Sequence, residues 1–396
     1  MKKEYSIIET FVGCGGSHFG FKKAGFKPLF VNDIWNDALQ TLKINDKDID
    51  ENIIINDDII NINEKFLQDK NINYSDLDVL IGGVVCKGFS LAGIRNPLDE
   101  RNYLYLQQLR LVKFLQPKIS IIENVPGMLN MKILQKNNNE EVSKLCIELD
   151  NTCNEFKKIR GKLISDNKKN SENSEDIKKE LEKLQNKRKK LEKDLEIYKY
   201  SVIEDIKKIY NEMNYDVYTK VLCCSDYECA TSRKRLFIVA IRKDLNIKWK
   251  YPEPITKNNK ISVKEAFKLI DYENINNPLN DIDNKPMNHT DKTIEKFKNI
   301  KSDVKTNTGY FSRGTSSRLS YDKPAPTLVP GHSAFQIHPI ENRSITIREG
   351  AILTGFNNTF KFYGSHSSKC IQIGNAIPVN MAYHLANQCK NILEIL

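Results

Sequence analysis

Short apolar runs alternate with stretches of helical periodicity through the first 125 residues, and few folds are compatible with that rhythm. The runs 5–11, 29–32, 52–55, 78–81 and 118–123 read as strands, and 34–45 and 101–115 between them read as helices. Strands separated by helices need crossover connections, so the expected fold is α/β, a parallel sheet with helices on its faces. Two later strand candidates, 216–222 and 235–241, lie so close together that they can form an antiparallel edge pair.

Between these halves lies a long charged stretch with its own period. Val142, Leu145, Leu149, Thr152, Phe156, Ile159 and Leu163 follow alternating steps of three and four, as do Ile177, Leu181, Leu184, Arg188, Leu191, Leu195 and Tyr198. The segment SDNKKNSENSED between them carries turn and cap residues, which predicts an antiparallel coiled-coil hairpin with its tip near 165–175. A solvated spacer or a dimer contact is its plain reading. Because it leaves the sheet after the strand at 119–123, on the edge where such sheets bind ligands, a DNA clamp is the alternative. The pattern breaks again at KWKYPEPITKNNK, a proline-bearing polar linker. Beyond it, Ser262 and Glu265 have capping-box spacing, weak periodicity follows to about residue 345, and the chain from Ile347 looks helical on either side of a Gly-Asn-Ala-Ile-Pro turn.

Three compositional facts narrow the function. Nine cysteines, an odd number without a CxxC pair, argue against a disulfide framework and a zinc site, so no metal is expected. No run of about 18 apolar residues occurs, and MKKEYSIIET lacks the apolar core of a signal peptide, so a cytoplasmic protein is expected. A formal charge of +10 favours a polyanionic partner, although a lysine-rich solvated surface explains it equally well until a site is identified.

The strand ends carry the chemistry. The first runs into Phe11-Val12-Gly13-Cys14-Gly15-Gly16-Ser17, a glycine-rich turn into a helix, where backbone approaches a ligand closely. Gly16 arrives one residue early for a dinucleotide fingerprint. Asp33, at the next strand end, can accept both hydroxyls of a ribose, with Ile34 beside it to pack on an adenine face; Asp58 and Ile59 repeat the arrangement after the third strand. A lone Asp there is usually a helix cap, but three ligand-suited strand ends together favour a nucleoside site. The fourth strand ends in Gly82-Gly83-Val84-Val85-Cys86-Lys87-Gly88-Phe89-Ser90 and the fifth in Ile122-Glu123-Asn124-Val125-Pro126. A cysteine at that edge, flanked by glycines and a lysine, suits a thiolate, and a neighbouring strand brings a carboxyl near it. Most cysteines are buried and inert, and most glutamates are solvated charges; here both occupy the ligand edge.

By these residues the chain resembles the cytosine-C5 DNA methyltransferases over nearly its whole length apart from the hairpin. The matching segments, in the family's order, are FVGCGG, GGVVCKGFS, ENV, TSRKRLFIVA, RSITIREGAILTGF and QIGNAIPVNMA. The resemblance implies a Rossmann-like sheet using S-adenosylmethionine, with S-adenosylhomocysteine as product, a smaller target-recognition domain and a helical coiled-coil insertion. It divides the chain into a catalytic domain at 1–136, the insertion at 137–212, the rest of the catalytic domain at 213–248, a target-recognition domain at 249–346 and a returning segment at 347–396.

A mechanism follows from the resemblance. Cytosine is extruded from double-stranded DNA, the Cys86 thiolate adds to C6, and C5 becomes nucleophilic toward the methyl donor. Loss of the C5 proton and elimination of Cys86 complete the reaction. Glu123, protonated or sharing a proton with ring N3, relieves the charge developing there, which needs a raised pKa in a dry pocket. Arg233 and Arg235 alternate on one strand and so face one side, where they hold Glu123 and the cytosine O2. Cofactor contacts carried over are Phe11, Gly13, Cys14, Gly15, Gly16, Asp33, Ile34, Asp58, Ile59, Leu104 and Asn375. DNA contacts carried over are Lys87, Ser90, Arg95, Arg313, Arg318 and His332, the last three as base readers. A restriction-modification role implies a cognate endonuclease, and the enzyme is expected as a monomer, with dimerisation through the hairpin as the alternative.

The chain departs from the family where Pro-Cys-Gln is usual: it has Val85-Cys86-Lys87. Losing the proline frees a backbone dihedral before Cys86, and Lys87 adds a cation that lowers the thiol pKa or meets a phosphate. Thr231 replaces the usual Gln before the arginines, and Ile34 a frequently larger side chain. A zinc deaminase needs HxE and PCxxC signatures, which are absent. A Rossmann dehydrogenase gives no reason for Cys86, Glu123 and the arginines. The remaining rivals are an inactive homologue that only binds DNA, and a methyltransferase acting on RNA.

Overall fold

The apolar runs become strands whose lengths follow their neighbours. The computed structural model describes residues 4–84, 100–134, 140–169, 174–270, 281–302, 317–328 and 335–396. In chain order, β1 (Tyr5–Thr10), α1 (Gly16–Ala24), β2 (Phe26–Asn32), α2 (Asn36–Asn45), β3 (Ile54–Ile55), α3 (Glu64–Asp69), β4 (Val79–Gly83), α4 (Leu104–Leu115) and β5 (Ile119–Asn124) give the expected alternation. The strands β6 (Lys132–Leu134) and β7 (Lys199–Ser201) form a separate antiparallel pair, while β8 (Tyr215–Cys223) and β9 (Lys234–Arg242) join the main sheet. That sheet runs β3-β2-β1-β4-β5-β9-β8, with β1 to β5 parallel and β9 antiparallel to both β5 and β8. The late strands do form the antiparallel end of the sheet.

Two strands differ from their sequence reading for local reasons. β2 begins at Phe26, three residues earlier than its apolar run, because Pro28 and Lys27 interrupt the pattern without interrupting the strand. Pro28 has no N–H to give, yet β3 pairs only with Val31 and Asn32, so Pro28 lies where one flank of β2 is unpaired, and the register with β1 shifts beside it. β3 shrinks to two residues because Asp50 caps a 3₁₀ turn over Glu51–Ile53.

The chain divides into two compact units: residues 1–84, 106–126 and 210–396, and residues 85–105 and 127–209. In the second, α5 (Glu140–Lys169) and α6 (Ser174–Asp194) are the helices predicted from the three-and-four stepping. Val142, Leu149, Leu191 and Leu195 of those stripes are buried with Leu134 and Cys153 in one apolar cluster. Lys187 of α6 pairs with Glu148 of α5 at 2.9 Å. The next helix, α7 (Val202–Glu212), leads back toward β8.

In the first unit, α8 (Val263–Phe267) starts at the predicted capping box, Ser262 with Glu265, and α9 (Asp291–Lys298) follows. The C-terminal part is α10 (Ile347–Leu353), α11 (His366–Asn375) and α12 (Val379–Leu393), with the Ala-Ile-Pro turn between the last two. One core lies under the sheet, uniting Ile7, Val79, Ile121 and Val239 with Met381, Leu385 and Cys389 of α12. A second unites Phe267, Leu319, Leu328, Phe335 and Ile345 with Ile352, Phe360, Ile373 and Ala376, and reaches Cys14 in the glycine turn. The turn is thus bonded by burial to the residues that follow position 260.

Candidate active site

The carboxyl ends of β1, β2 and β4 converge on the glycine turn. Phe11, Gly13 and Gly15 all have positive φ, at 51°, 58° and 94°, a run of left-handed backbone that glycine makes inexpensive at two of the three positions. β1 therefore stops at Thr10, one residue short of its apolar run. Gly13 N donates to Asp33 Oδ2 at 2.8 Å and Trp35 N to Asp33 Oδ1 at 2.9 Å, so one carboxylate ties the turn to the end of β2. Burial pushes the Asp33 pKa up, against the backbone donors that favour its charged form. A Cβ at Gly13 meets nothing within 4 Å, whereas one at Gly16 stands 2.1 Å from Ile377 O. The turn is open on one side and pressed against the α11–α12 connection on the other.

Ile34, beside Asp33, is 68% exposed, an unusual cost for an isoleucine next to a sheet edge. Asp58 caps the turn after β3 through Ile60 N at 3.0 Å. That turn points Ile59 inward, at 3% exposure, and Ile60 outward, at 56%. The Ile59 side chain is buried, and its carbonyl is taken by Arg110 Nη2 at 2.8 Å. Cys14 likewise turns its thiol inward to Gln372 O at 3.7 Å, with burial pushing its pKa up to about 12. Asn375 is exposed at the end of α11, and Leu104, half-buried at the start of α4, belongs to the second compact unit. The open glycine cradle, the Asp33 carboxylate with lone pairs to spare and the bare Ile34 face fit a ribosyl-adenine group.

The register of β5 with β9 builds the acid site. Glu123 lies opposite Phe237, so Arg235, two residues before Phe237, is diagonal to it on the same face. Arg235 Nε stands 2.8 Å from Glu123 Oε1, with both side chains almost buried. That oxygen has no aligned hydrogen-bond partner among the described residues. Burial raises the Glu123 pKa, and Arg235 and then Arg233 hold it down, with the net result above the ordinary carboxylate value. Gly83, paired with Glu123 across the β4–β5 ladder, leaves its Cβ position 3.6 Å from Glu123 Oε2. A methyl there would make an ordinary van der Waals contact with the carboxyl.

Arg233 also reaches the C-terminal helices. Its Nη1 donates to Gly374 O at 2.7 Å and its Nη2 to Asn375 O at 3.3 Å, so it grips the end of α11 while still influencing Glu123 electrostatically. The expectation for Arg318 is corrected. All five of its N–H donors go to acceptors within the chain, so its guanidinium is not available to a base edge. Cys86, Lys87, Ser90, Arg95, Arg313 and His332 lie outside the described residues.

Sequence reasoning missed the buried charge beneath the turn. His18, in the first turn of α1, contacts Glu9 through Nδ1 and Asp46 through Nε2, both at 2.7 Å, and Ser17 donates to the other Glu9 oxygen at 2.9 Å. Lys22 closes the group on Asp46. No motif marks His18, and its two partners come from β1 and the end of α2.

Residues 5–152 and 183–391 match the family model described as C-5 cytosine-specific DNA methylase; residues 153–182 lie between the matched stretches. Among curated proteins, the type II methyltransferase M.DdeI of Desulfomicrobium norvegicum is 27% identical, the alignment covering 98% of this chain and 89% of the relative. M.FnuDI of Fusobacterium nucleatum is also 27% identical, covering 98% and 94%. Among solved structures, a prophage-encoded E. coli protein assigned as a DNA modification methyltransferase superposes with a TM-score of 0.64 at 23% identity, covering 98% and 99% of the two chains. The Dnmt2 methyltransferase of S. pombe gives 0.56 at 13% identity over 98% and 99%.

Proposed function

The chain belongs to the C-5 cytosine-specific DNA methylases, and from that premise we propose that it methylates one cytosine within a specific duplex sequence, as the modification partner of a restriction endonuclease, with Cys86 as nucleophile and Glu123 as acid. The observation that carries the site assignment is Glu123: a carboxyl with a raised pKa, buried at the ligand edge of the sheet, held by Arg235 and paired across the β4–β5 ladder with Gly83, three residues of chain before Cys86. The names of the type II relatives support the modification role. The enzyme is read as a monomer.

S-adenosylmethionine supplies the electrophilic methyl when bound. The chain's own residues do the rest. Gly13, Gly15 and Gly16 present backbone to the cofactor, Asp33 takes the ribose hydroxyls, and Ile34 covers the adenine. Asp58 and Ile59 shape the second wall, with Ile60 exposed beside them. Leu104 and Asn375 complete the list. Extrusion places the cytosine where Cys86 can attack C6, and Glu123 holds a proton at N3 so that the ring accepts electrons without building a full negative charge. Arg235 orients that carboxyl and faces O2. Lys87, Ser90 and Arg95 hold the DNA around the nucleophile, while Arg313 and His332 in the stretch 249–346 read bases.

Transfer of a tritiated methyl group to plasmid DNA tests this reading. Wild type should label cytosine, and both Cys86→Ala and Glu123→Gln should not; equal labelling by Cys86→Ala removes the proposed mechanism. Bisulfite sequencing of a plasmid carried with the active gene identifies the site. Absence of any methylated cytosine argues for a DNA-binding homologue without activity.

A further inference from the structure

We infer that Arg318 is a positioning residue for DNA recognition: its guanidinium ties the chain at 297–300 to the turn at 338–342, and so sets the frame in which this region meets DNA. This rests on the proposal that residues 249–346 face DNA. The geometry is specific. Nε donates to Ile300 O at 2.8 Å, Nη1 to His338 O and Glu341 O at 2.7 Å each, and Nη2 to Phe297 O at 2.7 Å and to Asn342 Oδ1 at 2.8 Å. A guanidinium has five N–H groups in a planar fork, and all five are matched here, four of them by main-chain oxygens.

Those acceptors come from two separate stretches of chain. Phe297 lies in the last turn of α9 and Ile300 two residues beyond it, at the helix end whose carbonyl dipoles attract a cation. His338, Glu341 and Asn342 belong to the turn before Ser344. The main chain of Arg318 joins the same parts: it bridges Ser302 and Ile337, Ile337 in turn bridges Ser344, and Leu319 N donates to Ile337 O at 3.0 Å. Only isolated bridges connect these stretches, with no ladder among the described residues to fix their spacing. In such a region a five-donor fork does what a sheet does elsewhere. The helix it anchors exposes Lys292 and Lys296, side chains suited to phosphate oxygens.

A residue of this kind acts on DNA through other groups, so its loss must show in how DNA is bound and chosen rather than in methyl transfer itself. Lysine keeps the charge but offers three donors from one point and cannot span both stretches. The experiment compares wild type, Arg318→Lys and Arg318→Ala as full chains, on plasmid DNA bearing the site that wild type methylates. KM for DNA, kcat, the dissociation constant for S-adenosylmethionine and the melting curve are measured for each. The expected result is a rise in KM for DNA of about tenfold or more in both variants, with methylation appearing at related sites, while kcat and cofactor affinity stay at wild-type values. If Arg318→Ala fails to fold, Arg318→Lys decides. Unchanged KM and site choice overturn the inference and leave the proposed function standing, and a parallel loss of cofactor affinity overturns it by showing a merely structural role. If wild type methylates no DNA, the function and this inference fall together.

Discussion

Glu123 and Arg235 meet at 2.8 Å because the antiparallel register of β5 and β9 sets them diagonally on one face. A buried carboxyl at this distance from a fixed cation is held between two tendencies, with burial raising its pKa and the guanidinium lowering it. The balance lies on the raised side, which keeps a proton available to a ring nitrogen at higher pH than an ordinary glutamate allows.

If protonated Glu123 is the working form, activity falls as pH rises through its raised pKa. Removing Arg235 takes away the largest lowering influence, so Arg235→Met should move the alkaline limb upward while reducing the plateau. A limb that stays put, or moves down, assigns the titration to another group. Glu123→Gln should lower kcat by about 10²–10⁴-fold and erase this limb.

The glycines separate packing from ligand contact. Gly20 sits where α1 crosses α12, and its Cβ position is 2.5 Å from Ala382 Cβ and 2.7 Å from Tyr383 N. Gly20→Ala should lose about 1–3 kcal/mol of stability. At Gly13 there is open space, so Gly13→Ala meets only the strain of its left-handed φ, about 1–2 kcal/mol, and puts a methyl into the proposed cofactor cradle. Cofactor affinity should fall far more in Gly13→Ala than in Gly20→Ala, as calorimetric titration of the two variants would show. Equal losses place the cradle elsewhere.

The sheet was legible because its order is written in apolar runs and its ligand edge in the residues after them: Asp33, Asp58, Glu123 and the glycine turn all stand at strand ends as expected. Chemistry that depends on partners far apart in sequence was not legible. Arg233 and Arg235 look equivalent by alternation, yet one grips Gly374 and the other Glu123, since only the packing of α11 against the turn decides. Arg318 looked like a base reader for want of any local sign that five acceptors converge on it. The inward turn of Ile59 came from an Asp58 cap, a one-residue effect that apolar character cannot reveal.

His18 makes stability depend on pH. Burial pushes its imidazole down, but Glu9 and Asp46 outweigh this and carry its pKa up to about 9, from 6.5. A folded pKa above the unfolded value adds stability that is complete below pH 6.5 and lost as pH rises through 9, worth about 3 kcal/mol. Its surroundings are Glu9 from β1, Asp46 after α2, and Lys22 of α1, which also reaches Asp48. Urea unfolding at intervals from pH 6 to 10 should show this decline in wild type and a flatter profile in His18→Gln. Parallel profiles would mean that His18 is neutral when folded.

Arg233 offers the sharpest test of how the C-terminal helices serve the site. Its two hydrogen bonds end on Gly374 O and Asn375 O, and the same connection presses on Gly16, so the arginine holds the Asn375 turn against the glycine cradle. Hydrogen bonds from a charged donor are worth about 1.5–3 kcal/mol each, and Arg233→Gln removes the charge and shortens the reach. If Asn375 contacts the cofactor, the variant should bind S-adenosylmethionine about tenfold more weakly or worse. Because Arg233 also lowers the Glu123 pKa, less strongly than Arg235, the alkaline limb of the pH profile should shift upward by less than in Arg235→Met. The two readouts separate its roles: weaker cofactor binding with a fixed limb makes Arg233 a clamp alone, and a shifted limb with unchanged binding removes Asn375 from the cofactor site.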